Sequence, residues 1–388
     1  MIATADNCSF YGMCSDTLDT LGVDTFDDVL QGYQMLAHTR TDTERNRLVA
    51  CALAYQPFEQ STDLTFFEFD KDGKLVSKVE HHLPAFVTHD WTITPNYYVI
   101  PAASAVFDTS KLPSLIAGGM TATEIFAIDA NAPGTVLLIP RDGSGPPIRA
   151  ERSDGMHSTI FHVGPTYEDD ETGDVIFHPF CFDQYQFGGE MGFDIHKQSF
   201  DPTPWSESNG GPKLERWTID MTESKVKVKG KGKVVPAIAE RLSTVISDMP
   251  TFHPDRDGLE CNSVYTVCGI REEGKGWFPF NSIAKHDLRT GECEVWPPEA
   301  CSLNADERFR WDGGSAVRAE PLFVPRVGAI DEDDGYVLST VHCSENRRTT
   351  LEILDAKDFG AGPIQRIDLG ELMGWNVHSS FDPAGANV

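Results

Sequence analysis

Residues 161–170 read FHVGPTYEDD. The preceding run Ser158-Thr159-Ile160-Phe161 reads as a short apolar strand with His162 at its end. An acidic turn follows, and Asp174–His178 reads as a second strand. A lone His beside a turn says little, because imidazole serves equally as a packed ring, a surface group or a metal ligand. Three others stand in comparable places: His38, just after Leu36-Ala37, then His89 and His378.

Outward from this stretch the same pattern recurs. A strand, an acidic turn with Gly and a second strand are read at 66–78, 159–178, 282–296 and 322–341. Asp70-Lys71-Asp72-Gly73 and Asp287-Leu288-Arg289-Thr290-Gly291 are its clearest turns. With 33 Gly and 24 Pro spread through 388 residues, few runs are long and periodic enough for a helix. Residues 104–120 are the best helical or irregular candidate, and 201–213 read as an exposed loop. Many short strands with regular turns are what propeller blades look like in sequence. No linker is long or biased enough to divide the chain, so one domain over 1–388 is expected.

The net charge of -28 argues against nucleic acid and against binding to anionic lipid by charge alone. It favours a soluble monomer. Attachment to a membrane surface through an apolar patch stays open. The nine Cys, at 8, 14, 51, 181, 261, 268, 293, 301 and 343, form no CxxC pair and are odd in number. That disfavours a disulfide framework and a thiolate zinc site, and fits a reducing, intracellular compartment. The N-terminus shows no signal peptide, and no run approaches the roughly 18 apolar residues of a spanning helix.

His38, His89, His162 and His378 are separated by 51, 73 and 216 residues, far beyond the spacing of a helical metal motif. Such distant ligands meet only where a fold gathers strand ends, as the axis of a propeller does. Four neutral imidazoles suit iron, copper, zinc or nickel. The other reading is four unrelated core or surface rings.

Several stretches carry a family resemblance. LAHTRTD (36–42) resembles AHPxxD, THDWTITPNYYVIP (88–101) resembles HDFxxTxxYxIxP, and FHVGPTYED (161–169) resembles FHHxNAYEE. AEPLFVPR (319–326) resembles GEPxFVPR, and GWNVHSSFDP (374–383) resembles GFHGxFxP. These are the motifs, in order, of the carotenoid cleavage oxygenases. That family also contains the retinal isomerohydrolase of the visual cycle and the stilbene-cleaving dioxygenases. Pro165 stands where the family has Asn, and Asn376-Val377 where it has Gly-Phe.

The resemblance implies an all-β, seven-bladed propeller with Fe(II) on its axis under a loop and helix cap. The ligands it implies are His38, His89, His162 and His378. Three outer carboxylates would orient the rings: Glu320, Asp248 and, by a weaker alignment, Asp6. Asp at two of these positions is one methylene shorter than the family's Glu. Family members carry a long segment before the first His, whereas 37 residues precede His38. The expectation is therefore a propeller lacking its N-terminal part, including some of the tunnel wall. The implied reaction is O2-dependent cleavage of a double bond in a carotenoid or apocarotenoid, giving two carbonyl products. No side chain need act as nucleophile or general base. Phe180, Phe182, Tyr185 and Trp375 are candidates for contact with the apolar polyene, with core packing the alternative for each. Cleavage of a stilbene-type phenolic, isomerohydrolysis at the same iron, or a non-catalytic propeller binding an apolar ligand or partner protein are the other readings. A cytoplasmic or plastid location is expected.

Overall fold

A computed structural model describes residues 1–388 except 185–187, 195, 198, 223–226, 230–231, 272–275, 298–316, 344–346, 372, 376 and 382–388. The chain is built from short antiparallel strands joined by tight turns. Blade 1 comprises Arg40–Asp42, Arg47–Gln56, Ser61–Phe69 and Leu75–Pro84. Blade 2 comprises Thr92–Ile93, Tyr97–Pro101, Thr135–Pro140 and Ile148–Arg152. Blade 3 comprises Thr159–Glu168, Val175–Phe182, Lys213–Ile219 and the first part of Gly232–Thr251. That long strand then crosses into blade 4, with Ser263–Cys268, Ser282–Asp287 and Cys293–Trp296. Blade 5 comprises Val317–Arg318 with Leu322–Pro325, then Gly335–Cys343, Arg348–Asp355 and Pro363–Glu371. A three-stranded sheet over Ile2–Ala3, Phe10–Met13 and Thr20–Asp24 precedes them. Among the described residues this makes five four-stranded units and one N-terminal sheet, against the seven blades that the resemblance implies.

The acidic turns have one physical design. The Asp169 Oδ1 atom accepts from the backbone N–H groups of Glu171 and Thr172, and Asp287 Oδ1 accepts from those of Arg289 and Thr290. Each carboxylate closes its turn locally, and Gly173 and Gly291 take the left-handed φ of +75° that ends it. Blades pack face to face, so their central strands are buried on both sides. In Ser61–Phe69 eight of nine residues are buried, and Phe66 stacks on Tyr98 of blade 2 at 3.9 Å. A buried Phe of this kind contributes about 1.5–3 kcal/mol.

Two expectations are corrected and a third is met in part. His162 does not end a strand: Thr159–Glu168 runs through it. The strand survives Pro165 because its register breaks between Val163 and Thr166, where a missing N–H costs no ladder bond. Residues 104–120, expected to be helical or irregular, begin with the end of the strand Ala103–Phe107 and then hold the 3-10 turn Thr109–Lys111 and the five-residue helix Leu112–Ile116. Within 201–213, Thr203–Ser208 is helical and buries Trp205 against Trp277 at 4.9 Å. Pro204 near its first turn has the φ a helix start needs.

The strands Phe86–Val87, Ala103–Phe107 and Phe126–Ile128 form a separate small sheet. With the short helix Leu112–Ile116 it packs against Tyr55 and Ala85 at the end of blade 1. No helix among the described residues is long and apolar enough to cross a membrane.

Candidate metal centre

The first strands of blades 1, 2 and 3 lie side by side. His38 immediately precedes the first of them, His89 precedes the second, and His162 sits on the irregular part of the third. His378 follows the last strand of blade 5. One ring nitrogen from each of these four His lies within 4.8 Å of the others. His38 Nε2 and His89 Nε2 are 3.3 Å apart. His162 Nε2 is buried with no hydrogen-bond partner among the described residues.

Three carboxylates turn the rings. His89 Nδ1 lies 2.6 Å from Asp6 Oδ2, His162 Nδ1 lies 3.0 Å from Asp248 Oδ1, and His378 Nδ1 lies 3.0 Å from Glu320 Oε1. A ring that donates its Nδ1–H outward presents the Nε2 lone pair inward. The backbone compensates for the short Asp side chains. Asp248 sits at a break in strand register beside Met249, whose φ of +52° is rare for a non-Gly residue. Asp6 lies between the first two N-terminal strands, and the Asn7 N–H donates to Met35 O, anchoring that segment beside blade 1.

Two of these carboxylates also hold the backbone beside a ring. Asp6 Oδ1 accepts from the Ala37 N–H at 2.7 Å, next to His38. Glu320 Oε2 accepts from the Ser379 N–H at 3.0 Å, next to His378. A fourth carboxylate, Asp90, was not singled out from the sequence. Its Oδ1 stands 3.6 Å from His38 Nδ1. The signal was its place beside His89 in a Thr-His-Asp run, where it reads as part of the motif around the ligand.

A cleft of about 460 Å³ opens against His89 and Asp6. Its apolar walls are Val87, Phe126, Ile160, Phe161, Met191 and Phe193. Phe161 stacks on the His89 ring at 4.2 Å and 14°. Three of the four aromatic residues expected to contact substrate lie elsewhere. Phe180 is enclosed with Leu214, Val264 and Leu288. Phe182 packs into the core around Trp277. The Trp375 indole N–H donates to Arg318 O at 3.1 Å, and the ring lies 6.2 Å from that of Phe278. Tyr185 is outside the described residues.

A family model described as retinal pigment epithelial membrane protein matches residues 1–383. The chain belongs to that family. Apocarotenoid-15,15'-oxygenase of Synechocystis sp. is 28% identical over 370 residues, which cover 94% of this chain and 66% of that protein. Isoeugenol monooxygenase of Pseudomonas nitroreducens is 25% identical over 391 residues, covering 96% of this chain and 70% of that one. The solved structure of cobalt-substituted Synechocystis apocarotenoid oxygenase superposes with a TM-score of 0.78 at 23% identity, over 98% of this chain and 71% of that one. That likeness shows the propeller fold. The chain spans about two thirds of the length of these relatives.

The residues of this family member fit a divalent transition metal. Burial holds the His38 pKa well below the ordinary imidazole value, so that ring stays neutral and able to ligate. At His162 burial also disfavours the charged form, but the carboxylates of Asp248, Asp90 and Glu320 outweigh it and raise the pKa. Four inward Nε2 atoms, one of them orphaned in the interior, form a donor set that a metal ion would satisfy and that water alone would serve poorly.

Proposed function

We propose that this chain is an Fe(II)-dependent dioxygenase that cleaves a carbon–carbon double bond of a carotenoid or apocarotenoid with O2, giving two carbonyl products. The observation that carries this reading is the apolar cleft opening onto His89 beside the four converging rings. The relatives' names support the same chemistry. His38, His89, His162 and His378 would hold the iron, which when bound would supply O2 activation.

The protein's own groups place and shield the substrate. Phe161 fixes His89 from one face while its other side walls the cleft. Phe126, Phe193 and Met191 exclude water along a conjugated chain. Among the described residues Asp6 is the one carboxylate lining this cleft, and its oxygens are engaged by His89 and Ala37. It is thus a holder of the ring and not a free base. This suits a reaction in which the protein supplies placement and dryness and no proton transfer.

The test begins with iron content of the purified wild type and of His162→Ala. About one iron per chain, lost in the variant, is expected. Incubation with an apocarotenal and with isoeugenol under ¹⁸O₂ follows. Labelled aldehydes from the apocarotenal support the proposal. Cleavage of isoeugenol alone moves the substrate to phenylpropanoids. Absence of iron in the wild type after anaerobic reconstitution overturns the reading.

A further inference from the structure

Asp90 is buried, as Asp248 is, but unlike the other three carboxylates around the rings it makes no hydrogen bond to a ring nitrogen. Its Oδ1 accepts from Arg40 Nη2 at 2.6 Å and from the Trp91 N–H at 2.8 Å, and its Oδ2 accepts from the Val163 N–H at 2.9 Å. Arg40 is two residues after His38, Asp90 itself follows His89, and Val163 follows His162. One side chain therefore ties together the first strands of blades 1, 2 and 3 beside three of the four rings. The tie is reinforced from both sides. Arg40 Nε donates to Trp91 O at 2.5 Å, and the Trp91 indole N–H donates to His38 O at 3.0 Å. Below Arg40, Asp257 Oδ2 accepts from the Thr41 N–H at 3.1 Å.

With its oxygens taken, Asp90 leaves His38 Nδ1 at 3.6 Å, longer than a hydrogen bond. His38 is held by its backbone, through Trp91 to its carbonyl and through Asp6 to the Ala37 N–H. The other three rings are held at Nδ1. We propose that Asp90 is a positioning residue for the metal centre, setting the mutual register of three blades so that His38, His89 and His162 converge. On this arrangement His38 is the least restrained ring of the four. The inference rests on the four His binding a metal.

A carboxylate suits this place because it offers an oxygen to each neighbouring backbone N–H. Asparagine has one oxygen and one NH₂ group, so it meets only one of the Trp91 and Val163 N–H groups and sets a donor against the other. It also removes the nearer of two carboxylates that face the buried Arg40, leaving Asp257 Oδ1 at 4.0 Å from Nη1.

The experiment compares the wild type, Asp90→Asn and the double variant Asp90→Asn/Arg40→Met. Each is titrated anaerobically with Co²⁺, recording affinity, the visible d–d spectrum and the melting temperature without metal. Asp90→Asn is expected to bind Co²⁺ about 10- to 100-fold more weakly, with an altered d–d band. The double variant removes the Asp90–Arg40 pair as a whole, and its Co²⁺ affinity and spectrum are expected to stay impaired. A folded double variant with wild-type affinity and spectrum overturns the proposal and leaves Asp90 a structural ion pair only. A wild type that takes up no Co²⁺ overturns the metal reading itself, and this inference falls with it.

Discussion

Asp6→Ala tests whether one outer carboxylate controls two rings. Asp6 binds His89 Nδ1 at 2.6 Å through one oxygen and the Ala37 N–H at 2.7 Å through the other. Losing a carboxylate partner of a metal-bound His typically weakens the metal 10- to 100-fold, or about 1.4–2.7 kcal/mol. Here the loss also frees the backbone immediately before His38, so the expected effect is the upper end, about 100-fold. The half-buried Ala37 N–H left without its acceptor costs a further 1–3 kcal/mol, roughly, in fold stability. Asp6→Asn keeps one acceptor for two donors and should fall between, at about tenfold. Competition titration of Co²⁺ against a chromophoric chelator reads the affinities, and thermal melts without metal read the stability. Asp6→Ala within about threefold of wild type would refute the argument that carboxylate orientation governs ligation.

Filling the cleft should separate chemistry from metal binding. Ala103→Trp projects a ring into a space of about 460 Å³ and is expected to abolish polyene cleavage while iron content stays at the wild-type level. Loss of iron in that variant would contradict the assignment of the cleft to substrate. Phe161→Ala removes the ring stacked on His89 and one cleft wall together, so weaker Co²⁺ binding and a raised KM are both expected. Metal affinity should fall with decreasing pH from above the ordinary imidazole range, because the raised His162 pKa lets protons compete early. Fold stability should also drop in acid. Burial holds His178 and His286 at about 4, so both stay neutral when folded, whereas unfolded imidazoles protonate below about 6.5. The unfolded chain then binds more protons, and stability declines between about pH 6.5 and pH 4, by about 3 kcal/mol per ring. Urea midpoints across that range check this, and His286→Gln should flatten the slope.

What could be read from the sequence divides along physical lines. The four His stood out because each lies in a short motif with its own spacing, and the structure brings them together. The turns were legible because Asp and Gly at fixed offsets close them without tertiary help. The cleft walls were not. Phe126 lies in the small three-stranded sheet, Met191 and Phe193 come from a four-residue 3-10 turn and a two-residue strand, and none follows a readable period. Phe180 and Phe182 drew notice as an aromatic run after His178. Blade strands are buried on both faces, however, so aromatic density there marks core: Val175–Phe182 is buried at every position. Asp90 was hidden for the opposite reason. Its partners Arg40 and Val163 lie 50 and 73 residues away, and only the packing of blades 1, 2 and 3 sets them beside it.

The charge arrangement around the rings explains why a metal can be held without a carboxylate ligand. Asp6, Asp90, Asp248 and Glu320 surround four imidazoles, and Arg40 is the cation bonded to one of them. Those four carboxylates and one guanidinium leave a net charge of about -3, and neutral rings do not alter it. A divalent cation is thus attracted by the field of groups that never touch it. The carboxylates spend their hydrogen bonds on Nδ1 atoms and backbone N–H groups, which keeps their oxygens off the metal. The four His would hold the metal through nitrogen alone, and Phe161 and the apolar cleft lie against His89. Replacing an outer Asp by His or Lys would invert this field, and should cost more Co²⁺ affinity than replacing it by Ala. Equal losses in Asp248→Lys and Asp248→Ala would show that ring orientation alone, without the field, accounts for binding.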